Sequence, residues 1–316
     1  MKPKYDREAG DIGNIVALEH VNLQIEEQGL AISFYVTGLG LTRDPYMMTG
    51  VEFMWVNAGR NQFHLVTGPP QVVSGHIGLV VPDLRALLRR LETVRPFLSG
   101  TQFDFGLREN YVETTCPWGN RFRCYAPDPK LGGIELGIPY VEFDVEPGTA
   151  TRIAAFYRQV IEARSEITEG MTGGIARILI GLGQELRFRE TSEPIRPFDG
   201  HHVQIYVANF SGPHRKLVEL NLVTEESNQH QYRFDAIVDL DNRRPLARIE
   251  HEIRSLRHPL YARPLVNRNP MQSNLNYVSG RDAWIPSAAA LEMDDPAMRA
   301  LQIRYLQYLR SRGDGN

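Results

Sequence analysis

The sequence predicts an α+β protein made of four tandem β-α-β-β-β units, grouped in two domains with curved mixed sheets, plus a C-terminal arm and helix. Three observations predict it. Four β-like runs open alike, at His20, His76, Tyr140 and His202, spaced 56, 64 and 62 residues apart, and a recurring spacing of this size marks an internal repeat. Helical signals follow each run. Strand-like runs joined by short glycine-containing turns follow each helix.

The first run, His20 to Ile25, is rich in alternating and β-branched residues and reads as a strand. Leu30 to Leu41 then offers Ile32, Phe34, Tyr35 and Leu39 for an apolar helical face. The runs 52–56 and 62–66 flank Asn57-Ala58-Gly59-Arg60-Asn61, a turn suited to a hairpin. In the second unit, 76–81 is the strand, and Asp83 to Val94 carries Leu84, Leu87, Leu88 and Leu91 at the i, i+3, i+4, i+7 spacing of an amphipathic helix. The third unit has the strand 140–145, the helix Ala150 to Ala163 with Phe156-Tyr157 mirroring Phe34-Tyr35, and the hairpin 177–188 around Gly181-Leu182-Gly183. The fourth has the strand 202–207 and a less regular helix around Pro213 to Leu222. Pro127 to Gly137, rich in proline and glycine, is the natural linker between the halves. The expected division is therefore 15–128, 138–268 and a tail over 269–316. In that tail 270–286 reads as an irregular arm, and 294–312 as an amphipathic helix that packs on the body or on a second subunit of a homodimer.

The 316 residues suffice for two domains. A net charge of −3 argues against nucleic acid as a partner, and no stretch approaches the roughly 18 apolar residues of a membrane span. The polar N-terminus lacks an apolar core of the secretory kind, so a cytoplasmic location is the expectation. Cys116 and Cys124 are too few for a disulfide scaffold and read as reduced thiols, with Cys124 weighed as a soft ligand or nucleophile against simple packing.

A His-opened strand, a helix bearing Phe34-Tyr35 before Gly38-Leu39-Gly40-Leu41, a second His-opened strand and a closing Gly119-Asn120-Arg121-Phe122 run together resemble the vicinal-oxygen-chelate superfamily. It includes glyoxalase I, bleomycin- and fosfomycin-resistance proteins, methylmalonyl-CoA epimerase and extradiol dioxygenases. The resemblance covers 15–128 well and 138–268 more loosely. It implies sheets curled into a cleft whose floor holds a divalent metal, Fe(II), Mn, Ni or Zn, on two His and a carboxylate, with open positions for two neighbouring oxygens of a small-molecule substrate.

Carried onto the first half, the resemblance points to His20, to Gln62 or His64, and to His76. Arg123 stands where the family has Glu, and arginine cannot ligate a metal. In the second half, Tyr140 replaces the opening His, Arg187 or Arg189 closes the first unit, His202 is kept, and Glu250 takes the carboxylate position with Glu252 on the same face. The leading expectation is a metal-dependent enzyme with His20, His64 and His76 as ligands, Arg123 orienting a negative substrate, and Glu113 or Tyr111 as base. A second places the centre on His202 and Glu250 with Tyr140 or His251. A third is a metal-free binding protein in which Phe53, Trp55, Phe63, Trp118 and Phe122 stack on a ligand. The plain structural reading of the same histidines is scaffold, hydrogen-bonded to their surroundings. The arginine-rich run 253–268 reads first as ion pairs to the body and second as a grip on an anion.

Overall fold

The computed structural model describes residues 10–44 and 52–265, and the arm and helix expected beyond 269 lie outside the described residues. Unit one comprises β1 (Ile15–Ile25), α1 (Gln28–Ala31) running into a π-helical stretch (Ile32–Gly38), β2 (Thr42–Arg43), β3 (Phe53–Ala58) and β4 (Asn61–Thr67). Unit two has β5 (Gly75–Val80), α2 (Leu84–Val94), β6 (Asp104–Leu107), β7 (Val112–Thr115) and β8 (Arg121–Tyr125). Unit three has β9 (Tyr140–Val145), α3 (Ala150–Phe156) running into a second π-helical stretch (Tyr157–Ile161), β10 (Ser165–Glu169), β11 (Gly174–Ile180) and β12 (Gln184–Glu190). Unit four has β13 (His202–Val207), α4 (Ser211–Glu219), β14 (Val223–Asn228), β15 (Gln231–Val238) and β16 (Pro245–Ser255).

The local predictions hold because they rest on local physics. Asp83 caps α2 by accepting from the Arg85 and Ala86 amides, and the leucine stripe buries Leu87 and Leu91. Both Phe-Tyr pairs fall where a helix widens to π geometry, and all four rings are buried. At the β3–β4 turn, Gly59 has φ of 64°, and a Cβ there would sit 1.9 Å from the Leu136 carbonyl oxygen. Gly59→Ala is therefore expected to cost about 1–3 kcal/mol, read from the urea midpoint.

The strands form two eight-stranded sheets, in the orders β14-β15-β16-β13-β1-β4-β3-β2 and β10-β11-β12-β9-β5-β8-β7-β6. The first sheet thus joins unit one to unit four, through the antiparallel pair β1/β13, and the second joins unit two to unit three, through β5/β9. This differs from the expectation that consecutive units share a cleft. Backbone donors and acceptors along a strand edge are the same in every unit, so chain order does not select the partner. The two units of each half instead pack against each other between the sheets. Phe63 of the first sheet meets Phe122 of the second at 5.7 Å, with Phe34 and Tyr35 against them, and in the other half Phe156 packs on Phe234 and Tyr157 on Phe188. Phe63 and Phe122 are fully buried there, so they are core and not the ligand-stacking pair of the metal-free expectation. No helix among the described residues is long and apolar enough to cross a membrane.

Candidate metal centre

Which side chains share a face of the first sheet is set by register. His20 lies opposite Gln204 on β13 and Gln62 on β4, while His202 and Gln204 lie opposite Glu250 and Glu252 on β16. Directly opposed residues share a face, so these side chains point the same way. His20, His202 and Glu252 converge: each is buried, and one ligand atom of each lies within 4.8 Å of the others.

Each histidine is oriented by a carboxylate behind it. The β1 ladder shifts register between Leu18 and His20, which leaves Glu19 out of alternation. Its Oε2 lies 3.2 Å from His20 Nδ1 and accepts from Arg254 Nη1 at 2.9 Å, while the Tyr206 hydroxyl donates to Oε1 at 3.0 Å. Burial raises the pKa of Glu19, with Arg254 opposing. Burial, then the charge of Arg254, holds His20 well below the ordinary imidazole value, so it is neutral. With Nδ1–H facing Glu19, the buried Nε2 carries a lone pair and no hydrogen-bond partner. His202 repeats the pattern, with Nδ1 at 3.2 Å from Glu250 and an unpartnered Nε2 at 3.6 Å from Glu252 Oε2.

Glu250 therefore stands behind His202, and the carboxylate that joins the histidines is Glu252. Burial would raise the Glu250 pKa, but His202 and Arg233 hold it below the usual range. Glu252 Oε2 accepts from Arg233 Nη2 at 2.5 Å. Arg254 Nη2 lies 2.7 Å from Oε1 as an ion pair but is not aligned as a hydrogen bond, so this oxygen has no donor. Gln204, fully buried beside them, has neither its amide nitrogen nor its oxygen partnered. Four unpartnered buried groups around one point are unusual in a folded core. Two imidazoles and a carboxylate are the donor set a divalent cation takes, and each imidazole has the carboxylate backing common at such centres.

The other expected residues fall elsewhere. His64 lies outside the converging set: its ring stacks on Trp55 at 4.0 Å, edge-on to His20 at 6.0 Å, and burial brings its pKa down to about 3. Phe53, Trp55 and His64 thus lie on the same face of the sheet as His20. Gln62 is committed to Asp44, Asn57 and Arg263. His76, Arg123 and Tyr140 belong to the second sheet, so the structure does not bring His76 to His20 and His64. Glu113 is paired with Arg108 at 2.8 Å, an engagement that does not suit a free base. His251 is stacked on Phe234 in the core, far from a ligand's role. Both cysteines are free and buried, and burial pushes Cys124 up to about 12, which is thiol and not nucleophile. In the arginine-rich run, Arg254 and Arg263 form buried ion pairs, the first with Glu19 and Glu252, the second with Asp44.

Sequence reasoning missed Gln204, Glu19 and Arg233, while Arg254 lay in the arginine-rich run expected to form ion pairs with the body. Gln204 had a usable signal, being two residues from His202 on the same face. Glu19 had none, because alternation turns it away from His20 and only the register shift returns it.

Neither a family model nor a curated protein matches this sequence. Among solved structures, glyoxalase I from Zea mays matches with a TM-score of 0.54 and 11% identity, covering 75% of this chain and 92% of its own. A protein from Bacillus subtilis subsp. subtilis str. 168, assigned by name as a dioxygenase, matches with a TM-score of 0.53 and 14% identity, covering 87% of this chain and 93% of its own. The fold is the one these proteins share.

Proposed function

We propose that this chain is a divalent-metal-dependent enzyme that acts on a small oxygenated molecule by bidentate chelation, with the metal held by His20, His202 and Glu252. The observation that carries the reading is the convergence of three buried ligand groups, with no hydrogen-bond partner at His20 Nε2 or His202 Nε2. The fold likeness to a glyoxalase and to a protein named as a dioxygenase supports the same class, as an analogy.

When bound, the cation supplies Lewis acidity to two neighbouring substrate oxygens. The protein's own groups do the rest. Glu19 and Glu250 hold the two rings in the Nδ1–H form. Gln204 has an amide free to donate to one substrate oxygen and accept from another. Arg233 and Arg254 offset negative charge that builds on an oxyanion. Phe53, Trp55 and His64 give a planar substrate a surface to stack on, so screening begins with catechols and vicinal dicarbonyls.

Metal content by plasma mass spectrometry on untagged protein tests the reading. About one metal per chain is expected, lost in His20→Ala and His202→Ala and retained in His76→Ala. Glu19→Gln is expected to keep the site but weaken metal affinity about 10–100-fold, by competition with a chromogenic chelator. The second reading, a metal-free binding protein, draws on the arginines that face both oxygens of Glu252 and neutralise it without a cation. Absence of metal after reconstitution with Fe(II), Mn, Ni and Zn would leave that reading in place of the first.

A further inference from the structure

The second sheet repeats the first in register, which makes its cleft readable residue by residue. Gly78 lies opposite Arg123 as Gln204 lies opposite Glu252, and His76 lies opposite Glu142 as His202 lies opposite Asn22. Tyr140, two residues before Glu142, then occupies the position of His20, and Arg187, opposite Glu142, that of His64. The three ligands of the first cleft thus become Tyr140, His76 and Arg123 in the second. A cation-binding carboxylate has been exchanged for a cation.

From this we propose that the corresponding face of the second sheet is an anion site that holds the carboxylate or phosphate oxygens of a small ligand on Arg123 and Arg187. Among the described residues Arg123 donates no hydrogen bond, and its Nε is buried without a partner. The Tyr111 ring lies 5.4 Å from the guanidinium, and Glu113, opposite Arg123 on β7, is engaged by Arg108. Arg187 lies 3.8 Å over the Tyr140 ring and spends only Nε, on Glu185 at 2.7 Å, so both terminal nitrogens stay available on a side chain 24% exposed. The acidic groups nearby are already engaged, Glu142 and Asp144 by Arg189, and Glu185 shared between Arg177 and Arg187. The excess positive charge is that of Arg123.

Beneath the two arginines, Tyr125, Tyr140 and His76 form a hydrogen-bonded chain, at 2.8 Å between the hydroxyls and 3.0 Å from Tyr140 to His76 Nε2. Burial first, then the surrounding arginines, brings the His76 pKa down to about 2. A neutral His76 with Nδ1 toward Glu142, 3.4 Å away, accepts from Tyr140, which fixes the ring under Arg187. The tyrosine rings favour an aryl or other flat carboxylate, which a planar guanidinium can grip through two parallel hydrogen bonds. A Cβ at position 78 would approach the Tyr140 ring to 2.6 Å, so glycine there is what lets the ring cross the floor of the cleft.

The test is calorimetric titration of the metal-free full chain with benzoate, acetate and inorganic phosphate, in low-chloride buffer, for wild type, Arg123→Met, Arg123→Lys and Arg187→Met. The expected result is saturable binding of at least one probe, weakened about tenfold or more by each Met substitution, in line with the loss of a charge-assisted hydrogen bond, and less by Arg123→Lys. Preference for benzoate identifies a carboxylate ligand, and preference for phosphate a phosphorylated one. Circular dichroism checks that each variant is folded, and unaltered metal binding by Arg123→Met separates this site from the first cleft. No saturable binding of any probe by wild type, or equal affinity in folded Arg123→Met, overturns the proposal.

Discussion

Glu252→Ala is expected to lower the stability of the metal-free protein by about 1–3 kcal/mol, the cost of taking from a buried charge one of its two carboxylate partners. The charge is that of Arg254, 9% exposed, which pairs with Glu252 and Glu19 and donates to Gln231. Arg233 also loses Glu252, but it is 23% exposed and keeps Glu250, so screening limits its share. The companion Glu252→Leu/Arg254→Met is expected to recover little of the loss, because removing Arg254 in turn leaves the buried Glu19 without its cation. Urea unfolding at constant m-value measures both. A Glu252→Ala change below about 1 kcal/mol would mean the arginines find other partners and the carboxylate is not the hub described above. In metal-loaded protein the variant also forfeits the stabilisation that ligand binding adds to the native state.

Acid is expected to act on the protein well before its carboxylates titrate, through His251. The ring is fully buried and stacked on Phe234 at 4.3 Å, accepts from the Tyr157 hydroxyl at Nε2 and donates from Nδ1 to the Ile249 carbonyl. Burial brings its pKa down from 6.5 to about 4. The unfolded chain takes up a proton at this histidine below about pH 6.5, and the native protein does so only near pH 4. The unfolded state therefore binds more protons across that window, and stability falls as pH falls through it, by about 3 kcal/mol in all and about 2 kcal/mol by pH 5. His64 and His76, brought down to about 3 and about 2 by burial, act in the same direction. His251→Gln keeps an acceptor for Tyr157 and removes the titration, so its stability measured at pH 7 and pH 5 should differ by about 2 kcal/mol less than that of wild type. An identical pH dependence in both proteins would refute the assignment.

The repeat of four β-α-β-β-β units was legible because alternation and helical spacing are properties of neighbours in the chain. So were Gly59 in a turn, both buried Phe-Tyr pairs, and the candidacy of His20 and His202. Period two also brought Glu252 into view beside Glu250, without choosing between them. What the tertiary structure decided is which strands adjoin. Pairing β1 with β13 puts His202, and not His76, beside His20, and the same exchange moves Arg123 and Tyr140 into a second cleft of opposite charge character. The register shift that turns Glu19 to His20, and the reach of Arg254 across to it, likewise have no local signature. Strand edges present the same backbone groups whichever unit they come from, so the choice among them is made by long-range packing of side chains, where no fixed spacing along the chain can carry the information.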